Sequence, residues 1–500
     1  MKAYPAYWRP LAVFFCLLLV WAGTAFAATL EDKVIEHQLA NGLRLLMVQR
    51  PQTPTFTAYI TLGVGSVHER SDERGVAHLL EHMLFKGTET IGTTDFAKEK
   101  PLLDRIEEVG SRLDALRPRR DADPAEIAAL EKELAALQQE HQQYVVKDEI
   151  ARIYAEHGGV GYNAFTSRDL TTYLVSLPAN KLELWAAVEA DRMKNPVLRE
   201  FFTEREVVLE ERFRAYETNP RGLIFEQLFA NAFTVHPYRN PIIGWRSDIE
   251  NLTLAKTREF LQRYYGPINT VIALVGDIDP PAAIALVERY FSDIPPGSPV
   301  PPVTAVEPPQ RGEKRIQVTF DAEPQLVMAF HKPTLPAHDD YVFDLIDLIL
   351  GQGRTARLYR SLVLEKQLAT SVQTFGAPGS RYPNLFVIAA TPRHPHTTAE
   401  VEEAILAELE RLAQEPVSAE ELARAANRLR TDRLRFLRGN EGLARMLTFY
   451  QSVSGDWRYV LTYDDKIAAL TAEDVMNTAR AWLHPGNRTV VVLDKGTSQP

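Results

Sequence analysis

The 500-residue sequence contains one cysteine, Cys16, and that residue lies in an apolar N-terminal segment. If this segment is removed, the mature chain has no thiol, which excludes disulfide bonds and cysteine-based catalysis. The sequence also lacks a basic tract of the kind that binds nucleic acid, and its formal net charge is −10 at pH 7. Otherwise its composition is that of an ordinary globular protein.

The N-terminal segment has the features of a secretory signal peptide. Lys2 and Arg9 precede an apolar run, residues 11–21, and residues 25–27 (Ala-Phe-Ala) form a small-x-small cleavage pattern. The run is too short for a comfortable membrane span. We therefore expect residues 1–27 to be removed from a bacterial protein that is periplasmic or secreted. An uncleaved leader that anchors the protein is the alternative.

Two histidines four residues apart, with a glutamate before the second, form the strongest chemical signal: His78-Leu79-Leu80-Glu81-His82. On a helix this spacing puts both imidazoles on one face, where they can share a zinc ion. The order H-x-x-E-H is the inverzincin signature, and Glu81 can reach a water molecule on the metal. A helix whose histidines only cap or pack is the alternative.

The surrounding residues predict a helix for this motif. Residues 71–73 (Ser-Asp-Glu) are helix-start signals, Gly75 precedes an apolar periodic run, and Lys86-Gly87 marks the end. Residues 56–62 ahead of them are typical of a strand. The motif therefore lies in a strand–loop–helix unit.

A zinc site of this kind needs a third protein ligand. The segment 204–211 has helical composition, and Glu204 and Glu211 lie seven residues apart on one helix face. Glu206 and Glu210 point away from one or other of them. Spacing alone does not choose the ligand, and a solvated acidic helix is the alternative.

Four segments, in this order, resemble the pitrilysin/insulinase-type peptidases, which include the mitochondrial processing peptidases: 78–88, 158–173, 204–211 and 236–244. The resemblance implies that Glu211 is the third ligand of one Zn²⁺ per chain, with Glu204 close behind it. It also implies that Asn163, Ala164 and Thr166 receive an extended peptide as an added edge strand. For Asn163, a turn or strand-end asparagine bonded to its own backbone is the alternative.

These residues together predict a zinc metalloendopeptidase that cleaves peptides or unstructured polypeptides. The metal would activate water and polarise the scissile carbonyl. Glu81 would act as the general base and pass the proton to the leaving amine.

Length and an internal repeat predict two domains. Leu252-Thr253 and Pro267-x-Asn269 recur as Leu470-Thr471 and Pro485-x-Asn487, at a constant offset and each before a strand. We predict an α+β fold with two homologous sheet-plus-helices domains, residues 28–293 and 314–500. The proline-rich residues 294–313 would be a stiff linker. The resemblance implies antiparallel or mixed sheets with helices on one face.

The first domain is predicted to contain an insertion. The interval between His82 and Glu211 is longer than the resemblance implies, and the excess falls at about residues 96–157. Asp123-Pro124 is a helix start, and apolar residues recur at helical spacing on both sides of it. We expect a partly exposed helical hairpin, which is either a decoration that packs on itself or a docking arm or substrate gate.

The second domain departs from the resembled family at two positions. Active members bring an Arg and a Tyr to the substrate carbonyl, and the resemblance places Val363 and Thr370 there. Oxyanion donors contribute about 3–4 kcal/mol each, and neither residue can replace the pair. We therefore predict the zinc-bearing subunit of a heterodimer whose homologous partner supplies the Arg and Tyr. A homodimer with other donors is the enzymatic alternative, and a catalytically weak or inactive scaffold or peptide-binding subunit is the other.

Overall fold

The computed structural model describes residues 30–495. The expected signal peptide, residues 1–27 with Cys16, lies outside the described residues. Among the helices of residues 30–495, none is long and apolar enough to cross a membrane.

The first half of the chain forms a six-stranded mixed sheet with helices packed on it. Its strands are β1 Val34–Gln38, β2 Arg44–Gln49, β3 Thr55–Leu62, β4 Val160–Thr166, β5 Thr171–Pro178 and β6 Thr270–Gly276. They lie in the order β1-β2-β6-β3-β5-β4. Only β2 and β6 pair in parallel, so β4 is an antiparallel edge strand.

The helices of this half follow the chain from the N-terminus to the linker. They are α1 Leu30–Lys33, α2 Val76–Met83, α3 Phe96–Leu116, α4 Pro124–His141, α5 Glu149–Glu156, α6 Leu182–Lys194, α7 Phe201–Arg212, α8 Pro220–Ala232, α9 Arg246–Glu250, α10 Leu254–Tyr264 and α11 Pro280–Phe291. Short 3₁₀ turns occur at Ser66–His68, Ala179–Lys181, Pro237–Arg239 and Pro267–Asn269, and a π-helical turn occurs at Phe213–Glu217.

The second half repeats this plan with five strands. They are β7 Lys314–Thr319, β8 Gln325–Lys332, β9 Ala369–Ala377, β10 Asn384–Pro392 and β11 Arg488–Asp494, in the order β7-β11-β8-β10-β9. Its helices are α12 His338–Leu350, α13 Thr398–Gln414, α14 Ala419–Arg438, α15 Asn440–Ser454, α16 Tyr459–Ala468 and α17 Ala472–Trp482, with a π-helical turn at Tyr359–Glu365 and a 3₁₀ turn at Pro485–Asn487.

The two halves are related strand by strand. Starting at β2, the first sheet has one parallel strand pair followed by three antiparallel pairs. The second sheet, starting at β7, has the same order of one parallel and three antiparallel pairs. The repeated asparagines make equivalent contacts, since Asn269 Nδ2 donates to the Tyr264 carbonyl (3.0 Å) and Asn487 Nδ2 to the Trp482 carbonyl (2.9 Å). The repeated threonines cap α10 and α17. The predicted two-domain α+β fold is confirmed.

Each sheet is covered on its outer face by a helix from the other half. Leu443 and Leu447 of α15 pack on alternate residues of the first sheet, and Ile224 and Leu228 of α8 pack on the second sheet. The resemblance implies helices on one face of each sheet, whereas in the structure a helix from the other half also covers the outer face. Because β6 has helices on both sides, every one of its residues is buried, which explains its unbroken apolar sequence.

The segment between the halves is attached along its length. Residues 292–313 contain neither helix nor strand. The Glu307 carboxylate accepts backbone N–H groups of Val235 and His236 at 2.9 Å each, in the first half. Gln310 donates to the Arg488 carbonyl of the second half (2.7 Å). The proline-rich segment therefore contacts both halves rather than spanning open solvent.

Helices α3 and α4 form the expected hairpin between the motif helix and β4. Asp123 caps α4 by accepting the Ala125 N–H (2.9 Å), as the sequence suggests. The hairpin also contacts the body of the domain, because Asp114 of α3 pairs with Arg205 of α7 at 3.0 Å in a buried position. It is an integral layer of the first half.

Candidate metal centre

Helix α2, which carries the H-x-x-E-H motif, is capped by a residue that the sequence did not indicate. The Glu69 carboxylate accepts the N–H groups of Gly75 (3.0 Å) and Ala77 (2.9 Å), which have no partner within a helix. Burial raises the pKa of Glu69 to about 8, although these two hydrogen bonds act in the opposite direction. Ser71 and Asp72, the expected start signals, lie exposed in the preceding turn.

A contact between two glycines joins α2 to the end of α7. Gly75 and Gly244 have φ values of 91° and 89°, and a Cβ on Gly75 would lie 2.5 Å from the Ile243 carbonyl oxygen. The Gly244 carbonyl accepts a hydrogen bond from Arg212, the last residue of α7 (2.9 Å). The two helices that carry the predicted ligands are therefore fixed against each other.

Three predicted ligands meet between α2 and α7. His78 Nε2 lies 3.7 Å from Glu211 Oε1, and His82 Nε2 lies 3.5 Å from Glu211 Oε2. One ligand atom from each residue falls within 4.8 Å of the others, and residues 30–495 contain no second group of this kind. Glu211 is half exposed, along an open hollow of about 750 Å³ beside α7.

The spacing of these atoms fits a zinc ion. Zinc bonds of about 2.0–2.1 Å in tetrahedral geometry separate neighbouring ligand atoms by roughly 3.3 Å. The observed 3.5 and 3.7 Å run to different oxygens of Glu211 and are slightly longer than this value, and one ligand atom from each residue lies within 4.8 Å of the others. Two imidazole nitrogens and one carboxylate oxygen are a ligand set typical of catalytic zinc, which keeps its fourth position for water.

The carboxylates around His82 favour a positive charge at this point. Burial lowers the pKa of His82, but contacts with Glu204, Glu211 and Glu81 outweigh it and raise the pKa to about 9. Burial lowers the pKa of His78 to about 4, so that ring stays neutral and free to bind a metal. Glu204, whose Oε2 lies 3.5 Å from His82 Nδ1, is the neighbour behind the site that the sequence predicts.

Glu81 lies beside this group and is held by the edge strand. Thr166 Oγ1 of β4 donates a hydrogen bond to Glu81 Oε2 (2.5 Å). Burial raises the pKa of Glu81, and the Thr166 hydrogen bond offsets part of that effect. The resemblance implies that Thr166 binds substrate, but in the structure its hydroxyl is already hydrogen-bonded to Glu81, the predicted base.

The other two predicted substrate residues lie on the same edge strand. Asn163 is exposed and Ala164 is buried. The pairing of β4 with β5 is irregular between Val160 and Asn163, where Gly161 has a φ of 66°. Within the described sheet β4 is the edge strand and pairs only with β5, so no strand of the sheet lies on its outer side.

Of the two departures in the second half, Val363 is buried and Thr370 is exposed. Val363 is buried in the core of that half. Thr370 is exposed on β9, and its hydroxyl donates to the Thr391 carbonyl (3.3 Å). The nearby arginines, Arg357 and Arg360, are paired with glutamates of their own half.

Lys86 is a site residue that sequence reasoning missed. Its Nζ lies 2.5 Å from Glu204 Oε1, so it holds the carboxylate behind His82. The sequence contains a signal for this position, because Lys86 lies four residues after His82, just as His82 lies four residues after His78. Helix α2 ends at Met83, so Lys86 follows it in a turn in which its N–H donates to the Met83 carbonyl (3.1 Å).

Two family descriptions match the chain. The family described as Insulinase (Peptidase family M16) matches residues 44–120 and 142–245, which include the motif and Glu211. The family described as Peptidase M16 inactive domain matches residues 251–429. This second match runs from the end of the first half into the second half and includes none of His78, Glu81, His82 and Glu211.

Similar proteins match over nearly the whole chain. The zinc protease PqqE of Helicobacter pylori is 24% identical, and the match covers 95% of this chain and 96% of that protein. A solved protease from Helicobacter pylori superposes with a TM-score of 0.77 at 24% identity, covering 92% of this chain and 99% of that one. The first half of the periplasmic protease PqqL from Escherichia coli has a TM-score of 0.68 at 18% identity, covering 93% and 92%.

Proposed function

Since the chain belongs to the pitrilysin/insulinase (M16) peptidase family, we propose that it is a zinc metalloendopeptidase that cleaves peptides or unstructured polypeptides. The observation that carries the proposal is the group His78, His82 and Glu211 with Glu81 beside it. A purely structural zinc site needs no general base next to its ligands. Relatives described as zinc proteases support the same activity.

The chemistry is divided between the metal and Glu81. Bound zinc would polarise the scissile carbonyl and lower the pKa of its water ligand. Glu81 accepts a proton from the attacking water and delivers it to the leaving amine. Thr166 keeps the carboxylate oriented through its hydrogen bond.

The substrate lies along β4 in this proposal. An extended peptide adds to the open side of an edge strand through main-chain hydrogen bonds, which suits substrates without stable structure. The exposed Asn163 contacts the peptide, while the buried Ala164 leaves the strand backbone accessible. Thr166 does not contact the peptide directly in this proposal, and its hydroxyl orients Glu81 instead.

The catalytic assembly is a heterodimer in our proposal. Val363 is buried and the Thr370 hydroxyl is short and bonded within its own sheet, so neither replaces the Arg and Tyr of the resembled family. A homologous partner supplies that pair, and this chain supplies the zinc. A homodimer with other donors is the competing assembly.

The site of action is periplasmic or extracellular in the same proposal. Residues 1–27 have the composition of a bacterial signal peptide. PqqL, which is similar in fold, is described as periplasmic. The alternative is an anchor formed by the uncleaved leader.

The test is zinc-dependent hydrolysis of a quenched-fluorescence peptide library by the purified mature chain, with Glu81→Gln as the blank. Folded, zinc-loaded protein without turnover, which becomes active on adding the homologous subunit, is the expected result. Robust turnover by the chain alone would contradict the heterodimer. Absence of turnover in every assembly would favour the scaffold alternative.

The metal site has a matched pair of variants. Glu211→Gln removes a proposed ligand, and we expect zinc affinity to fall by more than the roughly 10- to 100-fold that loss of an outer-shell partner costs. Glu210→Gln, one residue away and paired with Arg214 on the exposed side of the helix (2.9 Å), should keep the metal. Equal zinc content in both variants would contradict the assignment of Glu211.

A further inference from the structure

The helical insertion is joined to the metal site by a buried ion cluster. His141, the last residue of α4, contacts Glu99 of α3 (Nε2–Oε1, 2.7 Å). Glu99 also pairs with Arg199 at 2.7 Å, and all three side chains are at most 2% exposed. Residues 121–141, which include all of α4, fall between the two matched segments of the family description.

Arg199 carries the connection to the helix that holds the histidines. Its guanidinium donates to the carbonyls of Lys86 (3.2 Å), Thr88 (2.5 Å) and Ile91 (3.3 Å). These residues form the segment that leaves α2, while Arg199 itself lies just before α7. One side chain therefore fixes the exit of α2 and the entry of α7, and the insertion neutralises its charge.

A second set of contacts runs from the insertion to a metal ligand. Gln142 Nε2, at the end of α4, donates to Glu200 Oε1 (2.8 Å). Lys86 Nζ lies 3.4 Å from Glu200 Oε2 and 2.5 Å from Glu204 Oε1. The other oxygen of Glu204 faces His82 Nδ1 at 3.5 Å. Polar contacts thus extend without a break from the insertion to His82.

The backbone at Glu200 indicates that this geometry is imposed. Glu200 has a φ of 59°, a left-handed conformation that residues other than glycine adopt rarely. Such a conformation persists where surrounding contacts fix it, and it occurs preferentially at functional sites. Here Lys86 and Gln142 hold the Glu200 side chain.

We propose that Lys86 is a positioning residue for the zinc site and that the insertion holds it in place through Gln142 and Glu200. The inference rests on the proposed zinc peptidase function. Lys86 fixes Glu204 against His82, and so orients the imidazole whose other nitrogen faces Glu211. Loss of an outer-shell partner of a metal ligand typically weakens metal binding about 10- to 100-fold.

The test is the zinc dissociation constant, measured by chelator competition at constant neutral pH. Lys86→Met should weaken zinc binding about 10- to 100-fold, and Lys86→Arg should restore most of the affinity because a cation again bridges the two carboxylates. Lys100→Met is the matched control, since Lys100 lies on α3 and pairs with Asp104 at the surface. It should bind zinc like the wild type.

Unchanged zinc affinity in a folded Lys86→Met variant, or no recovery in Lys86→Arg, would overturn the inference while leaving the proposed function intact. If Lys86→Met does not fold, Gln142→Leu provides the measurement, with a several-fold weaker affinity expected and an unchanged one overturning the proposal. A folded wild-type chain that binds no zinc would overturn the proposed function as well.

Discussion

The two halves of the chain share a helix–strand contact and differ in the chemistry built around it. In the first half, Thr166 of the edge strand β4 donates to Glu81 of α2 at 2.5 Å. In the second half, Thr374 of the edge strand β9 donates to Asp347 of α12, also at 2.5 Å. Helix α2 lies between β3 and β4 in the chain, and α12 lies between the equivalent strands β8 and β9. The fold therefore places an acidic residue of the helix beside a threonine of the edge strand in both halves.

The surroundings of these two acids differ. His78 and His82 flank Glu81, whereas the cavity beside Asp347, of about 480 Å³, is lined by both acidic and basic side chains together with apolar and aromatic residues and, among the described residues, by no histidine. Burial raises the pKa of Asp344 to about 7 and that of Asp347 to about 6. Both halves therefore place an acid in the same position, but within residues 30–495 only the first half adds an imidazole pair and the α7 carboxylate, a group that could hold a metal ion.

The largest expected difference between the halves is in turnover. Glu81→Gln should lower kcat/KM by about 10²–10⁴-fold, because it removes the proposed general base, while zinc content stays unchanged. The equivalent change Asp347→Asn should leave kcat/KM within a factor of about two, since that residue has no metal ligands around it. Both are measured in the assembly that shows turnover. A comparable loss in Asp347→Asn would mean that the second half takes part in the reaction.

In contrast to turnover, stability should be a property that the two halves share. Leu447 of α15 is fully buried against the first sheet, so Leu447→Ala should lower the free energy of unfolding by about 2–5 kcal/mol. Because each half covers the other, calorimetry should show one transition that moves as a whole. The exposed Leu434→Ala on α14 is the control and should change little. Two separate transitions would show that the halves fold independently.

The smallest expected effect is a pH dependence located in the second half. Asp344 has a raised pKa when folded, so between its unfolded pKa near 4 and about 7 the folded chain binds more protons than the unfolded chain. Stability must then fall as pH rises through this window. Asp344→Asn removes the contribution, so its Tm relative to wild type should increase from pH 5 to pH 8. A difference in Tm that is constant with pH would contradict the raised pKa.

Much of the site was predictable because local spacing determines it. The interval from His78 to His82 and the interval from Glu204 to Glu211 each define a helix face, and the caps at Asp123 and the two repeated threonines follow from local hydrogen bonding. The resemblance, rather than the spacing, singled out Glu211. These features need only a few consecutive residues to be recognised.

The rest depends on contacts between distant segments, which periodicity does not reveal. The Thr166–Glu81 hydrogen bond and the capping of α2 by Glu69 require the loops to be placed first. That α8 and α15 each cover the sheet of the other half can be recognised only from the complete fold. An amphipathic helix pattern shows that a helix has an apolar face, but not which sheet that face covers. For the same reason the sequence indicates Lys86 only as a basic residue at a helix end.

The exchange of α8 and α15 also has a consequence for biosynthesis. The outer face of the first sheet is completed by residues 440–454, which are translated long after β6 at residues 270–276. Until then its apolar residues stay exposed, and contacts between such distant segments form slowly. The first half therefore cannot complete its own fold before the second half has been synthesised, and this couples the folding of the two halves during translation.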